Sequence, residues 1–90
     1  MKLVVTTVGK DRTGIVALVS GILAKNNVNI LNLNQNIMDG FFNMIMIAEL
    51  PDAQKNSLRE IQKTLADEGR EYGVEIRVQH QEIFNVMHNI

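Results

Sequence analysis

The residues best suited to chemistry in this chain of 90 residues lie in segment 9–14, which reads Gly-Lys-Asp-Arg-Thr-Gly. The segment follows a run rich in β-branched residues, 2–8, and precedes an amphipathic stretch of helical spacing. A strand-turn-helix junction leaves the first N–H groups of the helix without intrahelical partners, and such groups attract carboxylates and small anions. Gly14 has no Cβ, so it permits either close ligand approach or close packing. The segment therefore indicates binding rather than catalysis.

Composition excludes several function classes. Nine basic residues are scattered among ten acidic ones for a net charge of −1, which argues against nucleic-acid binding. The absence of cysteine excludes disulfides, iron–sulfur clusters and thiol chemistry, and agrees with an expected cytoplasmic location. No apolar run is long enough to span a membrane. His80 and His88 lack the spacing of a metal site, so we expect no metal and no cofactor.

No catalytic motif is present in the sequence: there is neither a nucleophile elbow nor a phosphate-cradling glycine loop. The expected protein is therefore not an enzyme. Ninety residues predict a single domain, 1–90, and a chain this short gains stability from oligomerisation.

The hydrophobic periodicity predicts four strands and three helices. Asp11 is the expected N-cap of the first helix, Pro51-Asp52 caps the second, and Asp39-Gly40 predicts a type I′ hairpin turn. The predicted strands are 2–8, 29–38, 41–50 and 74–80, and the predicted helices are about 12–26, 53–71 and 82–89.

The order βαββαβ with right-handed crossovers predicts an α+β, ferredoxin-like sandwich. Its four-stranded antiparallel sheet has strand order 4-1-3-2, with both longer helices on one face and a short C-terminal helix. The hairpin register predicts a covered apolar face formed by Leu31, Leu33, Gln35, Ile37, Phe42, Met44, Met46, Ala48 and Leu50. The opposite face carries Ile30, Asn32, Asn34, Asn36, Met38, Phe41, Asn43, Ile45, Ile47 and Glu49.

At this point the chain resembles an ACT domain, a small-molecule-sensing regulatory module. The resemblance covers nearly the whole length and rests on segments 11–15, 27–30 and 38–44. The tail 82–88 is similar to that of small bacterial proteins made of one free-standing ACT domain, near relatives of glycine-cleavage-regulator-like domains. The resemblance implies a homodimer or higher homo-oligomer that binds a small molecule, an amino acid, at the subunit interface.

Residue by residue, the resemblance implies a ligand site formed by two subunits. The loop after the first strand supplies Asp11, Arg12, Thr13 and Gly14, and the start of the second strand of the neighbouring subunit supplies Asn29 and Ile30. The sequence departs from serine-sensing members, because Asp11 replaces an asparagine and Gly9 stands where those members have a ligand-contacting histidine.

Each of these residues also has a purely structural interpretation. Gly14 could serve packing, Asp11 could serve only as a helix cap, and Asn29 could be a turn residue. Asn32, Asn34 and Asn36 either face solvent or form an inter-subunit surface. The sequence leaves open an amino-acid-sensing regulator acting through an unknown protein partner, a ligand-free interaction module, and, least favoured, an RNA binder.

Overall fold

The computed structural model describes residues 1–82. Its elements are β1 (Lys2–Lys10), α1 (Ile15–Lys25), β2 (Asn29–Met38), β3 (Phe41–Glu49), a 3₁₀ helix (Asp52–Ser57), α2 (Leu58–Glu71) and β4 (Val74–His80). The sheet is antiparallel with order β2-β3-β1-β4, which confirms the ferredoxin-like α+β architecture and the strand order 4-1-3-2. The expected helix at about 82–89 falls outside the described residues.

The core lies between the helices and one face of the sheet. Apolar side chains of β1, β3 and β4 alternate inward and meet the apolar stripes of α1 and α2. Its fully buried members include Leu3, Val19, Met46, Ile61 and Leu65. Among the described helices, none is both long enough and apolar enough to cross a membrane.

Both tight turns follow from residues that tolerate positive φ. Asp39 and Gly40 have φ of 53° and 83°, which confirms the type I′ hairpin. Asn27 has φ of 61° directly after α1, as expected of asparagine at a left-handed helix end. The hairpin pairs Met38 with Phe41 and keeps the predicted register as far as Asn32.

Asp11 does not cap the first helix as expected, and Pro51 occupies the expected N-cap position of the second but supplies no capping side chain. The N-cap of α1 is Gly14, with φ of 92°, and no side chain caps this end. The helix begins at Ile15 rather than at 12 because β1 continues to Lys10 and the turn needs the four residues between them. The second helix begins as a 3₁₀ turn, also without a side-chain cap, and Asp52 instead accepts a hydrogen bond from the Met1 ammonium at 2.9 Å.

Half of the predicted covered face is in fact exposed. Its β3 members are buried, but Leu31, Leu33 and Ile37 of β2 are 46%, 38% and 57% exposed. These β2 side chains are exposed because β2 is an edge strand and the helices cover the centre of the sheet. A bulge at Leu31 also shifts the register, so Ile30 pairs with Ala48 and packs against the core instead of lying on the open face.

Candidate functional site

The loop that joins β1 to α1 is exposed and attached to the hairpin turn. Asp11, Arg12, Thr13 and Gly14 all face solvent. The Asp11 backbone N–H donates to the Gly40 carbonyl oxygen at 2.9 Å, so the loop and the β2–β3 turn lie together at one end of the sheet. A ligand held at this loop would therefore also lie near the end of β2.

The start of α1 retains its capacity to bind an anion. The first intrahelical bond runs from the Leu18 N–H to the Gly14 carbonyl oxygen at 2.9 Å. The N–H groups of residues 15–17 precede that bond, and within residues 1–82 they donate no hydrogen bond to a capping side chain. They point out of the helix at its positive end, where a carboxylate gains both hydrogen bonds and a favourable dipole interaction.

Tyr72 is a residue of this site that the sequence analysis did not identify. It follows α2, and its hydroxyl donates a hydrogen bond to the Thr13 carbonyl oxygen. The Arg12 guanidinium lies 3.9 Å from the centre of the Tyr72 ring and donates from Nη1 to the Tyr72 carbonyl oxygen at 3.2 Å. A Cβ added to Gly14 would stand 2.5 Å from the Tyr72 hydroxyl oxygen. In the sequence, Tyr72 reads only as one more apolar position of the second helix.

Gly14 is therefore required for two reasons. Its positive φ disfavours other L-residues, and the space beside its Cα is taken by the Tyr72 hydroxyl. The packing interpretation of Gly14 expected helix one to pack closely on strand one; Gly14 does pack closely, but its partner is the Tyr72 side chain at the end of α2.

Asn29 and Ile30 lie at the opposite end of the sheet from the loop. Lys2, Glu49 and Asn29 occupy one end row, whereas Lys10, Phe41 and Met38 occupy the other. The rows are separated by eight residues of strand, which is roughly 26 Å at about 3.3 Å per residue. One subunit alone therefore does not bring Asn29 next to Asp11.

The outer edge of β2 is long, exposed and uncharged. Its ten residues are asparagine, glutamine or apolar, and all are exposed except the half-buried Ile30. Asn32, Asn34 and Asn36 lie on the open face of the sheet, where they line a shallow groove of about 430 Å³ together with Asn43, Met44, Ile45 and Ile47. The predicted interface residues therefore lie on one strand and on one face.

The two carboxyl groups with a shifted pKa, those of Asp52 and Asp67, lie away from the loop. The Lys63 ammonium lowers the pKa of Asp67 by hydrogen bonding and by charge, and Arg70 adds to this. The N-terminal ammonium lowers the pKa of Asp52 in the same way. Within residues 1–82, no three His, Asp or Glu side chains are grouped as metal ligands.

Comparisons with known proteins agree on one family. A family model described as the ACT domain matches residues 1–79. A UPF0237 protein of Clostridium perfringens is 50% identical over 92 residues, covering 100% of both chains. The structure of an ACT domain protein from Streptococcus pneumoniae superposes with a TM-score of 0.81 at 33% identity, covering 93% of each chain. A structure provisionally assigned as a glycine cleavage system transcriptional repressor matches with a TM-score of 0.72 at 24% identity, covering 87% of this chain and 44% of that one, which shows the fold.

Proposed function

The chain belongs to the ACT domain family, whose members typically bind small ligands and form oligomers, and we propose that it is a non-enzymatic regulator. In this proposal it forms a homodimer and binds a free amino acid at the subunit interface. Its output passes to a cytoplasmic protein partner through the ligand-dependent state of the dimer.

The observation that carries the proposal is the edge of β2, which no segment of residues 1–82 covers. Exposed edge strands normally carry charges, prolines or covering segments that prevent pairing with another chain. β2 has no charged residue and no proline, and it exposes Leu31, Leu33 and Ile37 on one face. Pairing with a second copy would satisfy its outer backbone groups and bury these side chains.

A two-fold axis near the middle of β2 would also give the asparagines a role. Antiparallel pairing about such an axis brings Asn34 beside Asn34 of the partner subunit, and Asn32 beside Asn36 of the partner subunit. An amide both donates and accepts hydrogen bonds, so an uncharged asparagine row is complementary to a second copy of itself.

The same pairing would complete the ligand site. Antiparallel strands run in opposite directions, so Asn29 and Ile30 of the partner subunit come beside Met38, at the end of the sheet that carries Asp11. The hydrogen bond between Asp11 and Gly40 keeps the loop at that end. The separation of the two halves within one subunit is what a site shared between subunits requires.

A free amino acid fits the groups that would meet there. Its carboxylate would accept hydrogen bonds from the backbone N–H groups around Thr13, Gly14 and the start of α1, and would pair with the Arg12 guanidinium. Its ammonium group would donate to the Asp11 carboxylate and to the Oδ1 atom of Asn29 of the partner subunit. A ligand held by both subunits stabilises the dimer by mass action.

A thermal-shift screen against the common amino acids tests this function. We expect one amino acid to raise the unfolding midpoint, and Asp11→Ala or Asn29→Ala to abolish that rise. Asp67→Ala and Asn56→Ala are matched controls, because they remove a partly exposed Asp from α2 and an exposed Asn from the 3₁₀ helix. The controls should retain the rise, and its loss in them as well would contradict the site.

A ligand-free interaction module is the second candidate. The observation that favours it is Tyr72, whose hydroxyl fills the space beside Gly14 that a ligand would use. A dimer in solution together with no response to any amino acid would select this alternative.

A further inference from the structure

Tyr72 occupies part of the proposed ligand site. Its hydroxyl oxygen lies 2.5 Å from the position that a Cβ of Gly14 would occupy, and it donates its hydrogen to the Thr13 carbonyl oxygen. A carboxylate that approached the Gly14 backbone from this side would meet the phenol first. The Tyr72 hydroxyl and a ligand carboxylate therefore compete for the same space beside Gly14.

Arg12 is engaged by the same side chain. Its guanidinium stacks on the ring at 3.9 Å and donates to the Tyr72 carbonyl oxygen. We call Tyr72, Arg12 and Thr13 the Tyr72 cluster. In the cluster, the Arg12 guanidinium and the Thr13 carbonyl oxygen both contact Tyr72. A ligand must therefore replace these contacts before it can use either group.

The Tyr72 cluster is placed where it can open at small cost. Arg12 and Thr13 are exposed and Tyr72 is half-buried, so no core side chain has to move. Gly73 follows directly with φ of 82° and open space around its Cα, which leaves room at the junction between α2 and β4. Within residues 1–82, its polar contacts are one cation–π stack and two hydrogen bonds, each of modest net worth in an exposed setting, and Tyr72 also packs against the periphery of the core.

We propose that Tyr72 determines which ligands reach the loop site, an inference that rests on the proposed amino-acid-binding function. In the free protein the phenol closes the Gly14 side of the site. A ligand with a free carboxylate opens it, because the carboxylate pairs with Arg12 in place of the ring and takes the space of the hydroxyl. An analogue of the same size without the carboxylate charge, such as the amino-acid amide, gains no such exchange and is excluded.

Removing only the hydroxyl should therefore strengthen binding. Tyr72→Phe retains the ring that packs against Arg12 but loses the hydrogen bond to Thr13, so the closed arrangement is less favoured. The loss of one hydrogen bond from the closed state predicts affinity about three- to tenfold tighter. A residue with a purely structural role would give unchanged or weaker binding on substitution.

The experiment uses a natural probe, since Tyr72 is the only tyrosine and the chain has no tryptophan. Each common L-amino acid, and its amide, is titrated into the full chain while the tyrosine emission is followed. Binding to the native chain, Tyr72→Phe, Tyr72→Leu and the neighbouring control Glu71→Gln is measured by calorimetry. Circular dichroism confirms that each variant is folded.

Two results support the inference. One is a saturable change of Tyr72 emission on binding of an amino acid but not of its amide, with tighter binding by Tyr72→Phe and unchanged binding by Glu71→Gln. The other is a native chain that binds no amino acid while Tyr72→Phe or Tyr72→Leu does.

Two results overturn it, and they differ in what they say about the proposed function. Binding without any emission change, and with equal affinity in Tyr72→Phe, refutes the role of Tyr72 and leaves amino-acid sensing intact. No binding by the native chain or by either Tyr72 variant refutes both.

Discussion

At the scale of single residues, Gly14 is constrained by its backbone conformation and by the Tyr72 hydroxyl. Gly73 has nearly the same φ, 82° against 92°, but nothing lies within 4 Å of its added Cβ. Substitution of Gly73 therefore reports conformational strain alone, whereas substitution of Gly14 reports the same strain together with a steric clash.

We expect Gly14→Ala to lower the free energy of unfolding more than Gly73→Ala does. Gly73→Ala should cost about 1–2 kcal/mol for the left-handed conformation alone. Gly14→Ala adds the clash, and Tyr72→Phe should relieve it, because the next atom is the ring carbon at 3.6 Å. Urea unfolding of the two single variants and the double variant gives the coupling free energy between Gly14→Ala and Tyr72→Phe. An equal cost of Gly14→Ala in both backgrounds would contradict this explanation.

Thr7 is the second residue whose environment makes a prediction. It is completely buried on β1, and within residues 1–82 its Oγ1 has no hydrogen-bond partner. Thr7→Val keeps the shape and removes the unsatisfied hydroxyl, so the free energy of unfolding should rise by about 1 kcal/mol. Thr6 is the half-buried neighbour of Thr7, and Thr6→Val is the control for the difference in strand propensity between Thr and Val. A loss of stability specific to Thr7→Val would show that the hydroxyl has a partner.

At the scale of elements, β2 shows what a single sequence can and cannot predict. The strand, its turn and most of its register follow from the apolar pattern and from Asp39-Gly40, and the structure confirms them. Its burial does not follow, because alternation identifies a face and not whether a helix lies above it. The bulge at Leu31 reverses the side chain of Ile30, and nothing in the composition of the strand marks it.

The loop before α1 shows the same limit. Asp11 is a good capping residue, yet α1 begins four residues after it, and a left-handed glycine occupies the N-cap position. Tyr72 contacts a loop that is about 60 residues away in sequence, and helical periodicity carries no information about such a contact. The loop from Asp11 to Gly14 could be proposed as a site from the local sequence, whereas its contact with Tyr72 could not.

The role of the β2 edge leads to a prediction about assembly. We expect Asn34→Lys to shift the dimer toward monomer, because the two-fold axis would place two ammonium groups beside each other. Asn43→Lys is the matched control, since Asn43 lies on the same open face but on the inner strand β3. Light scattering coupled to size-exclusion chromatography measures both. If Asn43→Lys dissociates the protein equally, the open face and not the edge is the interface.

At the scale of the whole molecule, the two halves of the proposed ligand site lie at opposite ends of one sheet. The loop with Asp11 is about eight strand residues from the row of Asn29, and only a second subunit in reversed orientation brings the two together. In the proposed dimer, this separation would make the dimer itself the binding unit and would couple ligand binding directly to the assembly state.

Complementation between two inactive variants tests that claim most directly. Asp11→Ala and Asn29→Ala are each expected to lose binding of the amino acid found in the thermal-shift screen. In a mixed dimer, one of the two ligand sites combines the intact Asp11 of one subunit with the intact Asn29 of the other, and the second site carries both substitutions. After subunit exchange, calorimetry of an equal mixture should therefore recover about a quarter of the native number of sites, at native affinity. A mixture that binds no more than its separate components would contradict the shared site.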